Sequence, residues 1–172
     1  MPAPVPRQPA PPLQVPLVGG GTLDLRAARP TAFTLVLFYR GLHCPQCRKQ
    51  LTEYDQRLDE LADAGLDEVV AVSGDDVERA ERTVQEWGLQ RLRLGYGLTE
   101  EAMRSWGLYV SKGLKDPEPP VFNEPGLFLV QPDATLYSAH VQSMPFARPH
   151  LDNLLSAAEF IRDNDYPPRG EA

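Results

Sequence analysis

Apolar and polar positions alternate along this chain in two distinct rhythms. Phe33-Thr-Leu-Val-Leu-Phe-Tyr39 is a nearly unbroken apolar run rich in β-formers, the pattern of a central strand covered on both faces. Glu68-Val-Val-Ala-Val-Ser73 repeats it. Between them Cys47, Leu51, Tyr54, Leu58 and Leu61 recur at steps of four and three, which predicts a helix that starts at Pro45 and closes at Gly65. A second stripe, Val77, Ala80, Val84 and Trp87, predicts a helix capped by Asp75 or Asp76 and ended by Gly88. Leu92 and Leu94 suggest a short strand, and Thr99 caps a third helix carrying Ala102, Met103 and Trp106.

Towards the end of the chain, Gly126 to Val130 and Thr135 to Val141 flank the turn Pro132-Asp-Ala, an antiparallel hairpin. A last helix places Leu151, Leu154, Leu155, Ala158 and Ile161 on one face. Near the start, Val15 to Val18 and Thr22 to Leu25 surround Gly19-Gly20-Gly21 as a short hairpin. No phosphate-loop Lys-Ser/Thr follows those glycines. Residues 111–125 carry Pro117, Pro119, Pro120 and Pro125 and read as a long loop. Residues 1–14, with six prolines, read as a flexible proline-rich lead; residues 15–166 form one domain and residues 167–172 a tail. Alternating β-α units followed by a hairpin predict an α/β fold with a mixed central sheet and helices on both faces.

Bulk properties narrow the function. With 172 residues, 42% apolar, the chain can bury a real core. The net charge of −7 argues against nucleic acid and against a basic membrane-surface module. No apolar run approaches the roughly 18 residues of a membrane span, and prolines break any secretory apolar region. The expected compartment is the cytoplasm.

The chemistry lies in the two cysteines. Cys44 and Cys47 stand at i and i+3 on the first turn of the predicted helix. Cys47 falls on the buried stripe, and Cys44 is expected at the exposed tip. Orphan N–H groups and the helix dipole favour a thiolate there over a free thiol of pKa about 8.5. Arg40 and His43 are placed to add positive charge. Cys44 then acts as nucleophile, and Cys47 attacks the resulting mixed disulfide. Zinc binding is a weaker alternative, because tetrahedral zinc takes about four ligands and His43, His140 and His150 lack finger-like spacing. Arg148 reads as a solvated loop residue able to bind an anionic partner, and Trp87 and Trp106 as core.

Phe38-Tyr-Arg-Gly-Leu-His-Cys-Pro-Gln-Cys47 resembles the motif of the AhpC/TSA peroxiredoxin-like family within the thioredoxin-fold superfamily. The likeness runs from about Val15 to Ile161. It implies a thioredoxin-like fold in its peroxiredoxin-like variant, no bound cofactor, and partners of three kinds: a disulfide-bearing protein or small thiol, a hydroperoxide, and an external dithiol reductant. Two departures follow. The family's Thr three residues before the peroxidatic cysteine is Gly41 here, and its Arg before the Gly-Leu-Phe strand is Pro125. Pro125 resembles instead the cis-proline that faces the C-x-x-C of thioredoxins, where it guides substrate. The buried Asp of thioredoxin corresponds to Phe38, and Cys-Pro-Gln-Cys is closer in type to glutaredoxins. With both peroxide-holding groups missing, the reading that results is a thiol–disulfide oxidoreductase, with hydroperoxide reduction at Cys44 as the rival.

Overall fold

The computed structural model describes residues 3–172. Its strands are β1 (Gln14–Pro16), β2 (Thr22–Asp24), β3 (Thr34–Phe38), β4 (Glu68–Val72), β5 (Arg93–Gly95), β6 (Val110–Lys112), β7 (Val121–Asn123), β8 (Gly126–Val130) and β9 (Leu136–Val141). Its helices are α1 (Pro45–Gln56), α2 (Leu58–Asp63), α3 (Val77–Trp87), α4 (Glu100–Ser105) and α5 (Leu151–Asn164). The central sheet has the order β5-β4-β3-β8-β9. β3, β4 and β5 run parallel, and β8 and β9 are antiparallel to their neighbours. This is the mixed sheet of a thioredoxin-like fold, as the strand pattern predicted.

The strand rhythm explains the layers. Side chains alternate across a sheet, so Leu35, Leu37 and Tyr39 enter one core with Cys47, Leu51 and Tyr54 of α1, Ala80 and Trp87 of α3, and Leu154 and Ala158 of α5. Val36 and Phe38 enter the opposite core with Val15, Leu23, Met103 and Trp106. Each fully buried leucine in these layers contributes about 1.5–3 kcal/mol. Both tryptophans are core. Val77, expected on the α3 stripe, is exposed, and Thr83 is buried there instead.

Four details differ from the sequence reading. The long helix breaks at Arg57, whose N–H is shared between the carbonyls of Glu53 and Tyr54, so α1 and α2 are separate. The proline-rich 111–125 stretch lies largely in the β6–β7 hairpin, with Pro117, Pro119 and Pro120 in the connection and Pro125 between β7 and β8. Residues 3–14, expected to be flexible, are held on the sheet edge. The Arg7 N–H donates to the Leu136 carbonyl, the Ala10 N–H donates to the Ala134 carbonyl, and Ala10 and Leu13 are buried. The start of β9 and the turn before it supply partners that composition does not reveal. The same expectation for Met1 and Pro2 lies outside the described residues. Finally, the Glu124–Pro125 bond is trans; among the described residues the cis peptide is Asp116–Pro117. No helix among the described residues is long and apolar enough to cross a membrane.

Candidate active site

The handover from β3 to α1 builds the site. β3 delivers Tyr39 and Arg40 to the C-terminal edge of the sheet, and Gly41 turns the chain at φ +126°. Cys44 is the N-cap of α1, and its Sγ accepts the Cys47 N–H at 3.2 Å. Pro45 is the first helical residue, where its missing N–H costs nothing. Cys44 and Cys47 are joined as a disulfide with Cα atoms 5.2 Å apart.

Gly41 has a local cause. A Cβ at this position would sit 2.8 Å from both carboxylate oxygens of Asp75. Asp75 accepts the Leu42 N–H at 2.8 Å and the Arg79 Nε–H at 2.7 Å, and its side chain is fully buried. Buried Asp75, just before α3 and paired with Arg79 of that helix, thus anchors the turn that presents Cys44. Asp76, not Asp75, caps α3.

The expected asymmetry of exposure is corrected. Cys44 is as buried as Cys47, at 1% and 0% exposure. Loops absent from the helix-tip argument come together around it: residues 115–118 and the segment carrying Pro145 and Phe146 line a cavity with Cys44. The cysteines differ in access rather than in depth. Cys44 lines a cavity of about 460 Å³ together with Arg40, His43, Pro117 and Phe146, and Cys47 does not.

Arg148 is the residue that the sequence undervalued. Its Nη2 lies 3.1 Å from Cys47 Sγ and 3.8 Å from Cys44 Sγ. Its Nε donates to the Pro145 carbonyl at 2.9 Å and its Nη1 to Gln50 Oε1, so α1 and the post-β9 loop together fix the guanidinium. Burial and the charge of Arg40 push its pKa down to about 10, so the group stays cationic at neutral pH. A cation held on both sulfurs favours the thiolate.

The other expected residues are redistributed. Arg40 does not add free charge, because its Nε lies 3.1 Å from the buried Glu124 carboxylate and its guanidinium covers the Phe122 ring at 4.7 Å. The Arg40 backbone N–H donates to Cys47 Sγ at 3.4 Å instead. Glu124 also accepts the Ser111 hydroxyl at 2.7 Å, and Asn123 Nδ2 donates to the Tyr39 carbonyl, tying β7 to the end of β3. His43 does not add charge either: burial and then Arg40 lower its pKa, so the ring is neutral at ordinary pH. The cis-proline reading of Pro125 is corrected by the trans bond, and Pro125 is not among the residues lining the cavity at Cys44. Among the described residues, no group of three or more His, Cys, Asp and Glu side chains stands where it could hold a metal.

A dithiol pair at a helix N-terminus, at the edge of a thioredoxin-like sheet, defines a thiol-dependent oxidoreductase. The sequence profile of the AhpC/TSA family matches residues 6–139, and the chain belongs to that family. Comparison with curated protein sequences returns no match. Similar solved structures include peroxidoxin BcpB from Mycobacterium tuberculosis, 18% identical with a TM-score of 0.73, covering 92% of this chain and 99% of that one. Reduced Prx3 from Vibrio vulnificus in complex with hydrogen peroxide is 14% identical with a TM-score of 0.76, covering 92% and 100%. Reduced 2-Cys peroxiredoxin from Plasmodium vivax is 16% identical with a TM-score of 0.75, covering 94% and 83%.

Proposed function

We propose that this protein reduces a hydroperoxide at Cys44, with Cys47 as the resolving thiol. The observation that carries this reading is Arg148, whose guanidinium supplies at the two sulfurs the donor that Gly41 and Pro125 leave out. The burial of Cys44 supports it, since a small peroxide fits the cavity more readily than a folded protein's disulfide reaches the sulfur. The Vibrio neighbour was solved with hydrogen peroxide, which agrees.

The Cys44 thiolate attacks one peroxide oxygen. The S–O bond forms, the O–O bond breaks, and the departing oxygen takes a proton and leaves as alcohol or water. Cys44 is now a sulfenic acid. The Cys47 thiol displaces its hydroxyl as water and closes the disulfide. An external dithiol returns both sulfurs to thiols. Donors fixed where charge develops lower the barrier, and they need no reorganisation to do so. This cycle draws on a dithiol pool, as a reducing compartment such as the cytoplasm would supply.

Thiol–disulfide exchange with another protein is the second reading. The i, i+3 disulfide favours it, because so short a ring can be cycled. Stopped-flow oxidation of the reduced protein by hydrogen peroxide, run beside turnover of a protein disulfide, separates the two. The peroxide reading predicts a second-order rate orders of magnitude above that of a free thiolate. A rate equal to a free thiolate's, with ready disulfide turnover, overturns it.

A further inference from the structure

Arg148 acts on the sulfurs only while its guanidinium stays in register with them. Its own loop does not secure this. The Nε bond to the Pro145 carbonyl, at 2.9 Å, lies within that loop and moves with it. Among the described residues, the guanidinium's one other hydrogen-bond partner besides the sulfurs is Gln50, whose amide oxygen accepts from Nη1. Gln50 stands three residues after Cys47 on α1, close to it on the helix surface. It therefore ties the guanidinium to the helix that carries Cys47 and is capped by Cys44.

The chemistry of the amide suits this task. A guanidinium has only donors, so the atom that faces it is the amide oxygen. That oxygen carries no net charge, so it fixes the cation without cancelling the charge that the sulfurs feel. A carboxylate in the same place would cancel much of it. Glu53, three residues further along α1, lines the same hollow of about 210 Å³ as Gln50 and Arg148, yet its carboxylate pairs with Arg57 at 3.5 Å.

We propose that Gln50 is a positioning residue: it holds Arg148 in register with Cys44 and Cys47, and it acts on the sulfurs only through that arginine. Nη2 stands 3.1 Å from Cys47 Sγ and 3.8 Å from Cys44 Sγ, so a swing of about 1 Å away from them breaks both contacts. Misplacement of that size costs about 10²-fold in enzymes generally. The role rests on the hydroperoxide reading for its effect on rate, and on Arg148 alone for its effect on the thiolate.

The test is a double-mutant cycle of Gln50→Met, which keeps the length of the side chain and removes the acceptor, with Arg148→Ala. Two quantities are measured, with thermal melts to verify folding: the rate of Cys44 oxidation by hydrogen peroxide in stopped flow, and the pH midpoint of Cys44 thiolate absorbance in the Cys47→Ser background. With Arg148 present, Gln50→Met should slow oxidation by about 10–10²-fold and move the midpoint to higher pH. With Arg148→Ala, it should change the rate by less than about twofold and leave the midpoint where it is, because the arginine through which it acts is gone. Equal slowing in both backgrounds shows a merely structural effect and overturns the role. So does an unmoved midpoint, or a rate within twofold of wild type, while Arg148 is present. A wild-type rate no better than a free thiolate's overturns the hydroperoxide reading alone, and the midpoints then decide whether Gln50 positions Arg148. Should Gln50→Met fail to fold, Gln50→Ala runs through the same cycle and decides in its place.

Discussion

Replacing Gly41 by Thr restores the residue that the family motif carries at this position, and the structure nevertheless predicts damage. A side chain here meets two obstacles. The backbone sits at φ +126°, where an L-residue is strained by about 1–3 kcal/mol. Its Cβ also lands 2.8 Å from each Asp75 carboxylate oxygen. Forced overpacking of that kind costs a further amount of about 1–3 kcal/mol. Together they remove about 2–6 kcal/mol from a domain whose total stability is about 5–15 kcal/mol. For a domain of this size each kcal/mol lowers the melting temperature by about 2–4 °C. Thermal unfolding of the oxidised protein, followed by circular dichroism, should therefore show Gly41→Thr melting well below wild type. The Asp75→Ala background separates the two obstacles: there the clash is gone and the strain persists, so Gly41→Ala should cost about 1–3 kcal/mol less than it does beside Asp75. An unchanged melting temperature in Gly41→Thr, or strict additivity of Gly41→Ala with Asp75→Ala, would refute the claim that Asp75 excludes a side chain from the turn.

Two further outcomes are expected. Arg148→Ala should slow the reaction of Cys44 with peroxide by about 10²–10³-fold in stopped flow, the cost of one lost positioned donor; Arg148→Lys should recover only part, because lysine lacks the fork that reaches Pro145, Gln50 and the sulfurs at once. Asp55 is buried, which by itself pushes its carboxyl pKa up, but the N–H groups of Leu92, Arg91 and Gln90 outweigh this and hold it below the usual range. Its contribution is thus complete above the unfolded pKa of about 4 and is lost as pH falls through the lower folded value. Urea unfolding between neutral and strongly acidic pH should show Asp55→Asn less stable by about 1–3 kcal/mol at neutral pH and closer to wild type in acid; a constant gap across that range would show that the carboxylate's charge is not what matters.

What could be read from the sequence was local. The β3 and β4 runs, the stripe of α1, Thr99 as a helix cap and the two cysteines on the first helical turn all rest on neighbours within one turn or one strand. What could not be read was long-range. Arg148 stands 104 residues from Cys44, and only the packing of α5 and the loop after β9 against α1 turns an apparently solvated arginine into a ligand of the sulfurs. Gly41 looked like a missing hydroxyl because its partner, Asp75, lies on another element. Cys44 looked exposed because a helix-tip argument does not include the loops that come together around it. Prolines misled twice. They hid the three-residue strands β6 and β7, and they masked Ala10 and Leu13, which the start of β9, the turn before it and the second core hold in place.

The central claim is that Cys44 is the sulfur oxidised by peroxide and Cys47 the one that resolves it. Mass spectrometry of reduced Cys47→Ser, treated with one equivalent of hydrogen peroxide and a sulfenic-acid trap, tests this most directly. The account predicts one trapped adduct on Cys44, none in Cys44→Ser, and none in wild type, where the disulfide forms instead. An adduct on Cys47 in Cys44→Ser, or no adduct at all in Cys47→Ser, would contradict it.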